Sequence, residues 1–290
     1  MKKTMGRFLI IWTMVFYFAI HVSTLGAAEP PSGEQTGTGN HYVLIFQLTD
    51  YNSQLADAVE YFFKEVFKPG DTLMVFSPRQ PYTFSPKTLQ SMSTDQLIKL
   101  TTDKLKKDIP LEAVNYNTTI DEMGRLVTGT AGSGDAKTTL TQYKQVLQSF
   151  RQVRNKLSEN IFLQLADLFK KQNGNKYLFL FYQKEMRIIP DRKIMDAFRQ
   201  IPDLAFIANE VFYGENTEKL MDAAKISQAF NNAGVKFHFL YLQKEIPRRT
   251  GTEVNELSGD IYSLFSQVAK DTGGTVVTTS KPKEGFLKLK

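Results

Sequence analysis

Polar side chains follow several apolar runs of this chain, and they are donors and acceptors of hydrogen bonds rather than nucleophiles. The first such segment spans residues 47–51, and two later ones are the dipeptides at 183–184 and 243–244. Amides, hydroxyls and ammonium groups can bind a polypeptide segment by hydrogen bonds without a metal ion. We therefore predict a protein-binding surface made of Gln47, Thr49, Tyr51, Thr119, Gln183, Lys184, Gln243 and Lys244.

The apolar runs before these segments predict the strands of a mostly parallel sheet. They alternate with helical patterns along the chain, which is typical of parallel strands joined by helices. The expected strands span residues 42–46, 72–76, 177–182, 235–242 and 275–278. A short edge strand is expected at 80–84, because Pro81 lacks the N–H that an inner strand needs. Since parallel strands end at a common edge, the predicted binding residues lie at the carboxyl edge of the sheet.

The longest helical pattern runs from Leu140 to Lys171, with apolar residues at every third or fourth position. As one helix it would be about 48 Å long at ~1.5 Å per residue, so part of it would project beyond the sheet. Two helices joined by a kink are the alternative. The glycine-rich segment Gly129–Thr139 before it is predicted to be a hinge, because no Lys directly follows its glycines as a phosphate loop requires.

The amino-terminal residues have the pattern of a targeting segment. Lys2, Lys3 and Arg7 precede an apolar run at 8–20, which is shorter than the ~20 residues that span a bilayer. Small residues then precede Glu29, so we predict a signal peptide at 1–28, cleaved after Ala28, and a secreted or periplasmic protein. The alternative is an uncleaved anchor, which would be the chain's one contact with a membrane.

Composition excludes several classes of function. The chain has no Cys, which excludes disulfides, thiol catalysis and thiolate metal sites. Loss of the three basic residues of the signal lowers the formal net charge from +6 to +3, too little to favour nucleic acid as a partner. His41 and His238 are the imidazoles left after residue 28, and no Gly-x-Ser-x-Gly motif occurs, so no enzyme activity is predicted.

Four segments of the chain resemble the von Willebrand factor A family, in a bacterial secreted form. They are the opening strand, loop and helix as far as Pro69-Gly70-Asp71, the strand at 176–182, the helix and strand at 223–242, and the ending at 265–274. The resemblance implies a three-layer, doubly wound, mostly parallel α/β sheet with helices on both faces, of Rossmann-like form. Residues 41–290 are accordingly expected to form a single domain, preceded by a disordered linker of Pro, Gly and Thr at 29–40.

That family holds a metal ion with an Asp-x-Ser-x-Ser motif, a Thr and a further Asp. The resemblance places Gln47, Thr49 and Tyr51 on the motif and Gln183 on the further Asp. Mg²⁺ and Ca²⁺ prefer anionic oxygen ligands, so two amides in place of two carboxylates imply a degenerate site with no metal cofactor. The alternative is an ion held by Asp50, Thr49 and Thr119, with an acidic group supplied by the partner.

The predicted function is therefore that of an extracytoplasmic, adhesion-type module that binds a protein, of unspecified identity, without a metal. Two alternatives stay open. One is metal-dependent binding through Asp50. The other is a scaffold or assembly protein that uses the long helix at 140–171 as its contact surface.

Overall fold

The computed structural model describes residues 39–130, 136–154, 157–213, 221–246 and 249–287. All of them belong to one compact unit, which begins at Thr38. The predicted signal peptide and most of the predicted linker lie outside the described residues. Asn40, the last residue of that linker, donates its backbone N–H to Asp71 Oδ1 at 2.7 Å and is therefore part of the fold.

Within these residues, eight strands form two sheets. They are β1 (His41–Gln47), β2 (Thr72–Phe76), β3 (Pro81–Phe84), β4 (Lys176–Gln183), β5 (Met186–Pro190), β6 (Val235–Leu242), β7 (Thr252–Glu256) and β8 (Val276–Thr279). The main sheet has the order β3-β2-β1-β4-β6-β8, and β5 pairs with β7 in a small sheet of its own. All pairs of the main sheet are parallel except β2 with β3. The mostly parallel sheet and its edge strand are confirmed.

The strand order reverses beside β1. From β1 the chain runs outward to β2 and β3, then returns to the other side of β1 and continues through β4, β6 and β8. This is the doubly wound arrangement expected of the chain, and it leaves a switch point between β1 and β4. The last pairing there joins Gln47 to Tyr182, so the carboxyl ends of β1 and β4 lie side by side.

Helices cover both faces of the sheet. The described helices are α1 (Ser53–Tyr61, continued by a π-turn at Phe62–Val66), α2 (Pro86–Ser91), α3 (Thr94–Thr130), α4 (Ala136–Arg154), α5 (Glu159–Lys170), α6 (Arg192–Arg199), α7 (Pro202–Tyr213), α8 (Ala223–Ala233), α9 (Gly259–Asp271) and α10 (Glu284–Leu287). Within the described residues, no helix is both long and apolar enough to cross a bilayer.

Alternation along the strands directs side chains into two cores. On one face, Phe179 and Phe181 of β4 meet Phe286 of α10 at ring distances of 4.9 and 5.5 Å, and α1 and the first half of α3 complete this core. On the other face, Phe237 of β6 lies 5.6 Å from Phe265 of α9, with α5 and α8 packed around them. The sheet is therefore covered on both faces, as a parallel sheet must be.

A third core lies beyond the carboxyl edge, in a region that we call the helical lobe. It consists of residues 116–130 of α3 with α4, α6, α7 and β5. Because β5 begins three residues after β4 ends, the lobe extends from the carboxyl edge of the sheet. Tyr143 of α4 fixes it there by donating its hydroxyl proton to the carbonyl of Ile188 at 2.6 Å.

The predicted helix from Leu140 to Lys171 is wrong as a single helix. It is divided into α4 and α5, and Ser158 between them is extended, with φ −109° and ψ 149°. Leu147 and Phe150 are buried in the lobe, whereas Phe162 belongs to a core of the sheet. The two apolar stripes therefore bury against different elements, and the exposed stripe that a scaffold role needs is absent from the described part of this segment.

The long helix of this fold is α3, with 37 residues and a length of about 55 Å. The sequence pattern predicts two helices here, one ending near Lys107 and one spanning Thr119–Val127, and this division is wrong. Buried residues on both sides of Pro110, Ile109 and Ala113, keep the helix continuous. The predicted hinge Gly129–Thr139 lies partly outside the described residues, and its ends belong to α3 and α4.

His238 is a buried imidazole in a core of the sheet. Its ring is 3% exposed and stacks on Phe179 at 4.6 Å, and its buried Nε2 has no hydrogen-bond partner among the described residues. Burial, assisted by the charge of Lys236, lowers the pKa of His238 to about 4. Between pH 4 and pH 6.5, the ordinary pKa of histidine, the unfolded state therefore binds more protons at this residue than the folded state does.

Stability should therefore fall as the pH is lowered from about 6.5 to 4, by as much as about 1.4 kcal/mol per unit from this one group. We expect His238→Phe to lose less stability than wild type across that window, measured by urea unfolding at each pH. Thr275→Ala is the matched control, because it removes the hydroxyl 3.0 Å from His238 Nδ1 and keeps the imidazole. Equal pH slopes in wild type and His238→Phe would contradict the assignment.

Candidate functional site

Gln183 holds the loop between β1 and α1 against the carboxyl end of β4. Its side-chain oxygen accepts three hydrogen bonds, from the backbone N–H groups of Thr49 and Asp50, both at 2.8 Å, and from Thr49 Oγ1 at 3.0 Å. The residue is 7% exposed. Asn52 then caps α1 by accepting the N–H of Leu55 at 3.1 Å, so both ends of the loop are fixed.

The ammonium group of Lys244 lies among the oxygen atoms of this loop. Its Nζ is 2.7 Å from Asp50 Oδ2 and donates to Thr49 Oγ1 at 2.9 Å. It also lies 4.2 Å from the centre of the Tyr116 ring, where a cation is attracted by the ring face. The Lys244 side chain is 7% exposed, and this burial lowers its pKa, while Asp50 acts in the opposite direction.

Helix α3 supplies the wall on the other side of the ammonium. The hydroxyl of Tyr116 accepts the N–H of Met186 at 3.0 Å and donates to its carbonyl at 3.2 Å, which ties α3 to β5. Eight residues earlier, Asp108 is 2% exposed and accepts the hydroxyl protons of Ser77 and Tyr82, both at 2.6 Å. Asp108 therefore anchors α3 to the ends of β2 and β3.

The sequence did not identify Tyr116, Asp108 or Ser77 as parts of this edge. Ser77 directly follows a predicted strand, and this position is a signal that could have found it. Tyr116 lies between the two helices expected from the sequence, and no pattern there indicates its contact with Lys244. No local pattern distinguishes the buried Asp108 from the exposed charges around it.

The other predicted binding residues lie near the edge without joining this network. Gln47 and Tyr51 are half-buried, and Gln243 is exposed, with its backbone N–H donated to the carbonyl of Thr279 at 3.0 Å. Thr119 donates its hydroxyl proton to the carbonyl of Asn115 at 2.8 Å, within α3. The structure thus brings together three of the eight predicted residues, Thr49, Gln183 and Lys244, with Asp50 as the fourth member.

Lys184 belongs to a second polar cluster at the same edge. Its Nζ lies 2.6 Å from Glu256 Oε2, and Tyr241 donates its hydroxyl proton to the other oxygen of Glu256. Ser258 Oγ lies 2.5 Å from the Tyr241 hydroxyl and accepts the backbone N–H of Glu185 at 2.9 Å. Burial raises the pKa of Tyr241, so its hydroxyl stays a donor, and the cluster joins β4, β6 and β7.

The oxygen atoms of the alternative metal site have other partners. Thr49 Oγ1 and Asp50 Oδ2 are both bound to the ammonium of Lys244, and the Thr119 hydroxyl is bound within its own helix. In the described ranges, no three or more His, Asp or Glu side chains are grouped so that they could hold a metal ion. The arrangement that does exist can bind one cation, and the chain supplies that cation itself.

An open cleft of about 400 Å³ separates the loop from α3, next to the Lys244 network. Thr49, Asp50 and Tyr51 form the loop side of the cleft. The residues that form the helix side are Lys106, Pro110, Ala113, Val114 and Asn117. Burial raises the pKa of Tyr51, with the charges of Asp103 and Asp57 acting in the same direction, so the tyrosine faces the cleft as a neutral phenol.

Comparison with known proteins assigns no family. No protein-family model matches the chain, and no curated protein matches it. A crystal structure of an aerotolerance-related membrane protein from Bacteroides fragilis is similar at 9% sequence identity and a TM-score of 0.30. The match covers 86% of this chain and 94% of that one, and at this level of likeness it transfers no function.

We expect Gln183→Leu to destabilise the protein by about 2 to 3 kcal/mol, because three donors lose their acceptor at a buried site. Gln183→Glu keeps an acceptor oxygen and should lose much less. Urea unfolding measures the stability, and amide hydrogen exchange at Thr49 and Asp50 should be accelerated in the Leu variant alone. Unchanged exchange at both amides would show that Gln183 does not hold the loop.

Proposed function

We propose that this chain is an extracytoplasmic interaction module that binds a protein through the carboxyl edge of its sheet without a metal ion and without catalysing a reaction. The observation that carries the proposal is the ammonium of Lys244, 2.7 Å from Asp50 Oδ2 and 2.9 Å from Thr49 Oγ1 at the switch point of the sheet. Ligands of doubly wound sheets bind outside this point.

Electrostatics supports a metal-free site. A divalent ion bound by Thr49 and Asp50 would lie within a few ångström of the Lys244 ammonium, and like charges at that distance repel strongly in a partly buried place. The loop offers one carboxylate against that repulsion, because Gln47 and Gln183 are neutral. Mg²⁺ gives up its hydration shell reluctantly, and a single carboxylate supplies too little negative charge to replace the water ligands of that shell.

Preorganisation of the edge supports a binding role. The loop is fixed by the three bonds to Gln183, and α3 is anchored by Asp108 and Tyr116. A surface whose groups are already ordered loses little conformational entropy when a partner binds. The polar groups beside it, such as the exposed Gln243, can then donate and accept hydrogen bonds at the rim of an interface.

The amino-terminal pattern of residues 1–28 supports the extracytoplasmic location. Basic residues, a short apolar run and small residues before Glu29 are the three parts of a secretory signal. Because the chain has no Cys, its fold needs no disulfide and can form in an oxidising or a reducing compartment.

We expect wild type to bind Mg²⁺, Mn²⁺ or Ca²⁺ no more tightly than about 1 mM in titration calorimetry, because Lys244 provides the local positive charge. Sub-millimolar binding that Gln47→Ala abolishes would contradict the proposal.

The double variant Lys244→Ala, Gln183→Asp removes a cation and adds an anion beside the same oxygens, and it should bind Mn²⁺ more tightly than wild type. Its folding is checked by circular dichroism.

The location of the binding surface can be tested by photo-crosslinking. We expect p-benzoylphenylalanine placed at Asn117, in the cleft, to give protein adducts in the source cells that EDTA does not reduce. The same amino acid at Lys171, which is exposed before the start of β4 and so at the opposite edge, is the control and should give none. Adducts that disappear in EDTA and return with Mg²⁺ would favour metal-dependent binding, and equal adducts from both positions would refute the proposed surface.

A further inference from the structure

We infer that the partner inserts a segment with an apolar side chain next to an acidic one into the cleft between the β1–α1 loop and α3. The inference rests on the proposed function and specifies the chemistry of its partner. It follows from three features of the cleft: a row of residues on one face of α3, exposed apolar surface beside the middle of that row, and a lysine without an ion-pair partner at one end.

One face of α3 is directed at the cleft. Lys106, Pro110, Ala113 and Asn117 follow one another at intervals of four, three and four residues, which places them in line along one side of a helix. The row is about 16 Å long at ~1.5 Å per residue, enough for four or five residues of an extended segment. Its middle is apolar, and its two ends carry donors, the ammonium of Lys106 and the amide of Asn117.

Beside the middle of the row, α3 exposes apolar surface to the cleft. Val114, next to Ala113 of the row, is 57% exposed, although most large apolar residues of α3 are buried. Val114 lines the cleft together with Ala113, Pro110 and Tyr51. Covering such a patch with a partner's apolar side chain removes it from water, which is the main favourable contribution to most interfaces.

Pro110, on the same face, removes one hydrogen bond of α3. Proline has no backbone N–H, so the helical hydrogen bond to the carbonyl of Lys106, four residues earlier, cannot form. That carbonyl therefore lacks its usual helical donor.

The charge of the cleft selects an acidic side chain. Asp50, the carboxylate of the lining, is already neutralised by Lys244 at 2.7 Å. Lys106 is exposed, and within the described ranges no carboxylate forms an ion pair with it. Of the neighbouring charges of α3, Lys99 pairs with Asp103 at 2.6 Å and Lys104 lies over the Tyr82 ring at 3.9 Å. The exposed Lys107 does not line the cleft. Among the residues that line the cleft, the charge without a partner is therefore positive, whereas Asp57, whose charge acts on Tyr51, lies outside the lining.

The test selects a random heptapeptide phage library on the full mature protein in buffer with EDTA, and measures the enriched peptides by fluorescence polarisation. We expect enrichment of Asp or Glu next to a large apolar residue. Lys106→Glu should weaken these peptides about tenfold or more, because an attraction becomes a repulsion. Lys107→Glu is the matched control: it changes an adjacent lysine that is also exposed but does not line the cleft, and the effect should stay below about twofold.

Two further measurements make the outcome independent of folding defects. A peptide whose acidic residue is changed to Lys should bind Lys106→Glu better than the original peptide does. Val114→Asp should also weaken the original peptide, with an unchanged circular dichroism spectrum. Enrichment of basic peptides, no enrichment at all, or equal effects of the two lysine variants would overturn the inference. The proposed function would then be judged separately, by the EDTA-resistant adducts at Asn117.

Discussion

The ion pair between Lys244 and Asp50 joins three parts of the chain that are far apart in sequence. The lysine follows β6, the aspartate lies in the loop after β1, and Tyr116 of α3 lies against the ammonium at 4.2 Å. An ammonium that is 7% exposed is stable in such a place when oxygens and an aromatic face replace the water that it has lost. The pair therefore constrains where the loop, the strand end and the helix can lie relative to one another.

A lysine differs from a metal ion as the centre of such a site. It carries one charge rather than two, donates three directed hydrogen bonds and cannot dissociate. The neutral amide of Gln183 matches this lower charge, because it collects three donors from the loop without adding an anion. Gln183 and Gln243 were both expected to contact a partner. In the structure, Gln183 instead orders the loop by internal hydrogen bonds, while Gln243 is exposed.

The sheet could be predicted because each of its strands is a short apolar run followed by polar residues, and β4 and β6 are buried on both faces.

The helices were harder to predict. A period of three to four residues shows that a stripe is buried but not against what, so Leu147 and Phe162 were assigned to one helix. Two helices were expected in place of α3, one ending near Lys107 and one starting at Thr119, yet tertiary contacts of Asp108, Ile109 and Ala113 hold one helix together across Pro110. The pairing of β5 with β7 has no sequence signal, since Arg187 interrupts the apolar run.

The same tertiary contacts explain why the contents of the site could not be read from its residue types. Thr49, Gln183 and Lys244 were expected at one edge because strand ends meet there, but their mutual bonds depend on the register of β1 with β4 and of β4 with β6. The wall opposite them depends on α3 passing from the core of the sheet into the helical lobe without a break. A helix that ended at Pro110 would place neither Tyr116 beside Lys244 nor Val114 beside Tyr51. The continuity of α3 is therefore the condition on which both the internal cation and the cleft next to it depend.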